Sequence, residues 1–463
     1  MADMTRRRLF LVSALAGTGV TIAACGETVP PARPAATAAP APAAPTAAVV
    51  APTVPAPAPT RAPVRVLHWF GYAPPHRFGK AQQAVLDDFQ TRNPGRVVLE
   101  VGEASATVAL AKIKTTIAAG TPPSMWFGWQ VEASDLFGLG AVADLNEELK
   151  ANKDWGRIRG ELIPTLLNGA SWKSKLTLMP MMADPNVIGF NKKFLETVGV
   201  ALPADGYTWE EFLQIGQRAA QPPDRVLGQF NYLWSALQWW GFTNGVVPLS
   251  ADRTKVQFDS PGMLATLEWL HQQVGRGMLR NGPGDFDLGK TLTEVINPGT
   301  VTPPRYPNVD PGDGSGVHVT HYPIGPLNTK KELITAGNVF GFVVFKGNDR
   351  AQVEAAAEIA AWSVRPDVQL KVAQASTNAP ANLVAAKDPA ISRMFGDNTI
   401  LKRLNHFAQF DYPTPNFPSW GAATMAIDGA LGRVAKGELV PKDALAEIQS
   451  KVQALVDEDL KKG

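Results

Sequence analysis

The sequence predicts an α/β fold for most of the chain, because strand and helix patterns alternate along it. Val64–Trp69 has the composition of a strand. Apolar residues then recur at helical spacing, at Phe78, Ala81, Val85 and Phe89. Asn93-Pro94-Gly95 ends that helix, and a second strand pattern follows at Val97, Leu99 and Val101. Strand, helix and strand in this order form the repeating unit of a parallel sheet.

Length and the later patterns extend this prediction to two domains. From Val64 onward the chain has roughly 400 residues, more than one hydrophobic core usually holds. Val339–Phe345 predicts a buried strand, and an alanine-rich helix follows from Ala351 to about Trp362. Pro441–Leu460 predicts an amphipathic helix whose apolar face is formed by Ala444, Ile448, Val452 and Val456.

Residues 1–24 predict an export signal. Arg6-Arg7-Arg8 precedes the apolar stretch Leu9–Ala24, which is too short and too rich in small residues for a comfortable membrane-spanning helix. Arg7–Leu11 resembles a twin-arginine signal, and a general secretory signal with an extra arginine is the open alternative. Ile22-Ala23-Ala24-Cys25 resembles the lipobox of bacterial lipoproteins, and Cys25 is the only cysteine. We therefore expect lipidation of Cys25 and anchoring to the cell membrane outside the cytoplasm, in a periplasm or at a cell surface.

Residues 25–63 predict an extended stalk behind this anchor. From Pro30 to Pro63 nearly every residue is Pro, Ala, Val or Thr. Such a composition cannot bury a core and favours a polyproline-like shape of about 3.1 Å per residue. We expect the stalk to hold the folded body away from the membrane.

Composition and motifs argue against nucleic-acid binding, catalysis and metal binding. Residues 1–24 hold three Arg and one Asp, so the rest carries 41 basic and 41 acidic residues, without a positive excess to neutralise phosphates. No nucleophile elbow, metalloprotease or nucleotide-binding motif is present in the sequence. His318 and His321 are too few for a metal site, and Asn308–Gly314 lacks the ligands of a calcium loop and predicts a flexible polar insertion. We expect no cofactor, no metal and no enzymatic activity.

Five segments, in order along the chain, carry a resemblance to a known family. They are Ala118–Pro123, Leu136–Leu145, Leu178–Pro180 with Gly189–Phe194, Tyr207–Phe212, and Pro415–Pro418 with Gly437–Leu445. Together they resemble the sugar-binding group of the extracellular solute-binding proteins of ABC importers, which includes the maltose-binding protein. Thr208 and Glu211, in the fourth segment, have the spacing of a capping box. The chain departs from the family at Ser124, where Asp is usual, and over Gly289–Gly316, where a helix and a ligand loop are usual.

The resemblance implies a two-lobed periplasmic-binding-protein type II fold, with a hinge between the lobes and the ligand enclosed between them. Lobe 1 would comprise residues 64–183 and 318–365, and lobe 2 residues 184–317 and 366–463. The implied partners are a small solute, best a carbohydrate, and the permease subunits of an ABC importer. We expect a monomer.

Candidate binding residues follow from the chemistry of sugars, whose flat apolar faces are ringed by hydroxyls and call for aromatic planes with polar groups at their edge. The resemblance places Trp129 and Trp234 near the ligand, and Asp184 where a carboxylate accepts hydrogen bonds from sugar hydroxyls. Further aromatic candidates are Trp69, Trp239, Trp240 and Trp420, and further hydrogen-bonding candidates are Asn231, Tyr232, Asn244, Arg305 and Tyr306. Packing alone is expected for Trp155, Trp172, Trp209, Trp269 and Trp362. Burial in a core is the open alternative for every aromatic candidate, and a solvated turn for Asp184.

Three other functions stay open at this point. The same fold could bind a polyamine, an amino-acid derivative or iron, and the content of 12 Trp and 6 Tyr argues against the polyamine and the iron. A secreted polysaccharide-acting enzyme would need two carboxylates at the separation found in glycosidases, which a sequence cannot place. A structural or adhesive lipoprotein would show no response to a solute.

Overall fold

The computed structural model describes residues 62–103, 106–230, 233–282, 285–301, 306–310, 315–408, 411–413 and 416–462. The strands are β1 (Val64–Phe70), β2 (Val97–Glu103), β3 (Met125–Trp129), β4 (Ser171–Trp172), β5 (Lys175–Leu176), β6 (Met179–Asn191), β7 (Gly228–Phe230), β8 (Leu279–Asn281), β9 (Thr293–Ile296), β10 (Val317–Thr320), β11 (Thr335–Val344), β12 (Ala379–Pro380) and β13 (Asp411–Pro413). The helices are α1 (Arg77–Arg92), α2 (Ala106–Ala118), α3 (Gln130–Gly138), α4 (Leu145–Glu148), α5 (Trp155–Gly160), α6 (Pro164–Gly169), α7 (Lys192–Thr197), α8 (Trp209–Ala219), α9 (Leu233–Thr243), α10 (Pro261–Gly275), α11 (Pro298–Val301), α12 (Arg350–Trp362), α13 (Pro366–Ser376), α14 (Leu383–Ala386), α15 (Pro389–Met394), α16 (Thr399–Phe407), α17 (Trp420–Ala435) and α18 (Pro441–Lys461).

The main sheet is mixed and runs in the order β10-β6-β11-β3-β1-β2, with β9 and β12 paired to β6 and β13 paired to β11. β1 is parallel to β2 and to β3, as the strand-helix-strand pattern predicted. β11 is antiparallel to both β3 and β6. Ser124, the departure from the family pattern, joins β1 to β3: its Oγ accepts from Leu67 N–H at 3.1 Å and its N–H donates to Leu67 O at 2.9 Å.

β6 connects two hydrophobic cores. All 13 of its residues are buried. Met179–Ala183 lies in a first core with β1, α1, β3 and α12, whereas Ile188 and Phe190 lie in a second core with α8 and α9. Between them the pairing of β6 changes from β11, up to Asn186, to β9, from Val187 onward. The change falls at the position where the first hinge is expected.

A third core lies among helices. It is formed mainly by α9, α10, α17 and α18, and the predicted apolar face of α18 is entirely buried in it. Trp129 and Trp234 pack against this core from its edge. It therefore forms the support beneath two of the predicted binding residues.

The local predictions for helices and strands are confirmed. Phe78, Ala81, Val85 and Phe89 are all buried on α1, which ends at Arg92 just before Asn93. Thr208 accepts a hydrogen bond from Glu211 N–H while Glu211 accepts one from Thr208 N–H, which completes the capping box at the start of α8. Buried β11 and alanine-rich α12 occupy the predicted places.

The lobe boundaries proposed from the sequence stay a prediction, and packing bears on one of them. α13 follows the proposed crossover at residue 365, yet its Val368 and Val372 lie in the first core, against α1. Ala379 and Ala381 lie there too. These contacts favour a return crossover after Ala381 rather than at residue 365.

The segment 289–316, where the chain departs from the family pattern, contains secondary structure over its described residues. It contributes β9, which pairs with β6, and the short helix α11. Asn308 donates from its N–H to Asp287 at 2.7 Å, and Val309 is buried in a core with Phe286. Within the predicted insertion Asn308 is exposed while Val309 and Asp310 are buried, and residues 311–314 lie outside the described residues, so its flexibility stays a prediction. Over the described part of the chain, no helix combines the length and apolar character needed to cross a membrane.

Candidate functional site

A cavity of about 250 Å³ lies beside the second half of β6. Residues from many elements surround it: Trp129, Asn186, Ile188, Phe212, Gly228, Gln229, Trp234, Ser235, Ala236, Trp239, Trp240, Leu279, Thr293, Glu294, Val295, Asn297, Thr300, Tyr322 and Asn338. The lining combines aromatic planes with amide, hydroxyl and carboxylate groups. This is the composition of a small-molecule site, in which a few polar groups orient a ligand against apolar walls.

Four tryptophans form the aromatic part of the lining. Trp234, Trp239 and Trp240 all lie on α9, and Trp129 is the last residue of β3. The rings of Trp129 and Trp234 face each other with centroids 6.5 Å apart and an interplanar angle of 32°. Trp239 meets the ring of Tyr322 edge-on at 6.0 Å. Most candidate tryptophans are thus brought to one cavity.

The polar part of the lining comes from β6, β7 and β9. Glu294 on β9 is only 7% exposed and accepts a hydrogen bond from Gln229 Nε2. Asn297 donates from Nδ2 to Asn186 Oδ1 at 3.2 Å, which connects the end of β9 to β6. Backbone bonds fix the frame, since Glu294 pairs with Gly189 in the β6–β9 register. The cavity therefore contains a carboxylate in a rigid strand setting.

Several polar atoms of the lining are buried and have no hydrogen-bond partner among the described residues. They are Trp129 Nε1, Trp239 Nε1, Gln229 Oε1 and the Tyr322 hydroxyl. Each such atom costs about 1–3 kcal/mol when its hydrogen bond with water is lost and not replaced. Burial raises the pKa of Tyr322 well above its ordinary value, with Tyr207 and Glu294 adding to the effect, so that its hydroxyl stays a neutral donor.

Two of the predicted aromatic residues lie outside this lining. Trp69 is buried in the first core against Gly102, with Lys112 Nζ 4.6 Å from its ring centre. Trp420 is 2% exposed and meets Trp234 edge-on at 6.1 Å from the far side. Both positions give the side chain a packing role, and Trp420 supports a cavity residue from behind. Tyr232, Asn231 and Arg305 lie outside the described residues.

Asp184, the predicted carboxylate, is engaged with protein groups. Its Oδ1 accepts from Arg77 Nη2 at 3.0 Å and from Asn378 Nδ2 at 2.9 Å. It does not line the cavity, although Asn338, its partner in the β6–β11 register, does. Asp184 therefore ties α1 to β6 at the expected hinge, and its contact with a ligand stays a prediction.

A second cavity, of about 540 Å³, adjoins the first. Asn297 and Thr300 line both, and Tyr72, His76, Arg77 and Lys80 line the second. Burial and the nearby Arg77 lower the pKa of His76, which favours its neutral form. The segment around α11 thus separates an aromatic cavity from a more polar one.

The remaining polar candidates have structural partners. Asn244 is buried and its Nδ2 donates to Thr266 Oγ1 at 3.1 Å, while Tyr306 packs edge-on against Phe286. His318 bonds to Pro203 O at 2.7 Å, and His321 is buried beside Thr335 at 3.2 Å. Within the described ranges no group of three or more His, Cys, Asp or Glu side chains could hold a metal ion.

The sequence did not point to the most polar residues of the cavity. Glu294 and Gln229 were missed, as were the amides Asn186, Asn297 and Asn338. A signal for Glu294 exists, because it is the only charged residue in the apolar and β-branched run Leu292–Ile296. A charge inside such a strand needs a polar surrounding, which here is the cavity.

Comparison with known proteins matches residues 84–395 to the family described as bacterial extracellular solute-binding protein. Among solved structures, a cyclic α-maltosyl-1,6-maltose binding protein from Arthrobacter globiformis is similar, with a TM-score of 0.73 at 18% identity over 86% of this chain and 100% of that one. An ABC substrate-binding protein from Listeria monocytogenes, in complex with cycloalternan, has a TM-score of 0.70 at 17% identity over 85% and 99%. The sugar-binding protein MalE of Xanthomonas citri has a TM-score of 0.69 at 16% identity over 85% and 98%. No curated protein matches the chain. At these identities the similarity establishes the two-lobed α/β fold.

Proposed function

This chain belongs to the bacterial extracellular solute-binding proteins, and from that premise we propose that it captures a carbohydrate or sugar-like solute in the cavity beside β6 for an ABC importer. The observation that carries the proposal is the lining itself. Four tryptophan planes stand around buried donors and acceptors that have no partner among the described residues. Sugar rings offer apolar faces to the planes and hydroxyls to the polar atoms. The solved structures that are similar to this chain include complexes with cycloalternan, maltose, maltotriose and mannotriose.

The finer parts of the proposal concern location and assembly. We propose export by the signal in residues 1–24, lipidation at Cys25, and a stalk over residues 25–63; residues 1–61 lie outside the described part of the chain. The protein would act as a monomer that delivers its solute to permease subunits. The family and the similar solved structures are binding proteins, which supports a role without catalysis.

We expect a sugar to stabilise the protein in a thermal-unfolding screen of the full chain. The panel would contain glucose, mannose, maltose, maltotriose and mannotriose, and a sugar present at 100 times its dissociation constant should add about 2.7 kcal/mol to the free energy of unfolding. Spermidine and the common amino acids form the comparison panel. A response to one of these, with none to the sugars, would transfer the proposal to the alternative solute class.

Trp239→Phe tests whether the indole N–H of the cavity binds the solute. The substitution keeps an aromatic plane but removes the Nε1 donor, so affinity for the bound sugar should fall by roughly 3- to 10-fold in calorimetric titration, the value of one hydrogen bond. Trp269→Phe is the matched control, because Trp269 packs on Trp240 at 4.8 Å and is not part of the lining. Equal losses in both variants would contradict a direct contact.

A further inference from the structure

Trp129 and Trp234, whose rings lie 6.5 Å apart in the lining of the cavity, are each held at the backbone N–H. Trp129 is the N-cap residue of α3, and Trp234 is the second residue of α9. Backbone N–H groups at a helix start have no partner inside the helix. The N–H of Trp129 donates to Glu132 Oε2 at 3.0 Å, and the N–H of Trp234 donates to Asp428 Oδ1 at 2.8 Å. Each tryptophan is thus fixed at its backbone by a carboxylate.

The carboxylates belong to helices that pack on each other. Glu132 lies on α3 and Asp428 on α17, and α17 contacts both α3 and α9. α17 also supplies Trp420, whose ring meets that of Trp234 edge-on at 6.1 Å. Trp234 is therefore supported by α17 at its backbone and at its ring. A shift of α17 or loss of either carboxylate would change how the two indoles face each other.

We infer that Glu132 and Asp428 are positioning residues of the binding cavity, which set the relative placement of Trp129 and Trp234 without touching the solute. The inference rests on the function proposed for this cavity. Hydrogen bonds to an ionised acceptor are about twice as strong as neutral ones, so the charge on each carboxylate matters as well as its position. Protonation of Glu132 weakens its hold on Trp129, which makes the cavity sensitive to the pH outside the cytoplasm.

The surroundings of Glu132 place its titration near neutral pH. Burial raises its pKa from the ordinary 4.5 to about 7, against the hydrogen bond from Trp129 N–H, and the nearby Asp135 adds to the increase. Tyr72, in the loop after β1, interacts with the charge of Glu132 and also with those of Arg77 and Asp184. Lys114 forms an ion pair with Asp135 at 2.5 Å. β3 and β11 carry no ionisable side chain toward α3. α17 carries Asp428 and Arg433, and Arg433 pairs with Glu447.

Affinity and stability should respond to pH in opposite directions. Above about pH 7 Glu132 is ionised and holds Trp129 most firmly, so affinity for the solute is highest there. The folded chain holds the Glu132 proton more tightly than the unfolded chain does, so the free energy of unfolding falls as pH rises from about 4.5 to about 7. A purely structural role for Glu132 would lower affinity and stability together.

The first test needs no sugar and uses near-ultraviolet circular dichroism of the full chain between pH 5 and pH 9. The tryptophan signal of the wild type should change with a midpoint near pH 7, and the change should disappear in Glu132→Gln, which keeps an acceptor but cannot ionise. Glu268→Gln is the matched control, because Glu268 is an exposed residue of α10 and should leave the transition intact. The inference is overturned if the wild type shows no transition or if Glu132→Gln retains it.

The second test measures maltose affinity at pH 6 and pH 8 by calorimetry. Wild-type affinity should be roughly 3- to 10-fold higher at pH 8, and that of Glu132→Gln should be independent of pH.

Asp428→Ala should bind about 10-fold more weakly than the wild type, and Asp428→Asn should recover most of the loss because its amide oxygen still accepts from Trp234 N–H. If the wild type bound neither maltose nor any other sugar of the unfolding screen, that result would count against the proposed function, while the spectroscopic test would still decide the role of Glu132. Equal affinities of Asp428→Ala and wild type would overturn the role of Asp428.

Discussion

Glu294→Gln should weaken binding of the solute by roughly 10- to 100-fold. Glu294 is the carboxylate of the cavity lining, it is 7% exposed, and Gln229 Nε2 donates to it. A hydrogen bond to a charged group contributes about 1.5–3 kcal/mol, which corresponds to this range of affinity. Glutamine has the same size, so the expected loss comes from the charge rather than from a change of shape.

The measurement is calorimetric titration of the best sugar from the unfolding screen into both proteins at pH 8. Glu268→Gln, which changes an exposed glutamate of α10, is the control and should bind as the wild type does. Thermal unfolding of the sugar-free proteins checks that β9 still pairs with β6. An unchanged affinity in Glu294→Gln would remove the carboxylate from the binding site and would weaken the assignment of this cavity.

The fold could be predicted from the sequence because its signals are local and periodic. The apolar spacing of α1 and the buried run of β11 are read over 16 and 10 residues, and the same residues form the first core. Export, lipidation and the stalk are likewise local patterns, and they stay predictions because residues 1–61 lie outside the described part of the chain.

The candidate site could be predicted only in part, because a sequence does not show which way a side chain faces. Trp234, Trp239 and Trp240 were candidates because aromatic residues cluster there, and all three line the cavity from α9. Their contact with a solute stays a prediction. Trp420 was a candidate for the same reason, its aromatic side chain, yet it is buried in the helical core and packs edge-on against Trp234. Trp69 lies on β1 but faces the first core. Burial against a distant element decides these outcomes.

Partners far along the chain decide the role of the acidic residues. The sequence indicated no protein partner for Asp184. In the structure its Oδ1 accepts hydrogen bonds from Arg77 and Asn378, which are 107 and 194 positions away. Glu294 was not predicted as a site residue, because segment 289–316 departs from the family pattern and no strand was expected there. Its place in the cavity depends on pairing between β9 and β6, which joins residues more than 100 positions apart.

Close backbone packing predicts a large loss of stability at Gly341, in the middle of β11. β11 lies between β3 and β6, and its register with β6 shifts between Phe340 and Gly341. A Cβ at Gly341 would overlap the carbonyl oxygen of Met179 and lie 2.9 Å from Met181 N, and backbone atoms in a sheet cannot move aside as a side chain can. Gly341→Ala should therefore lower the free energy of unfolding by about 3 kcal/mol or more, measured in denaturant.

Gly429→Ala is the matched control with the opposite sign. Gly429 is exposed on α17, and a Cβ there would have nothing within 4 Å. Alanine should therefore raise the free energy of unfolding by about 0.5–1 kcal/mol through its helix propensity. Equal stability of Gly341→Ala and the wild type would show that β11 and β6 do not approach each other in this way. The pairing of β6, on which the cavity depends, would then be wrong.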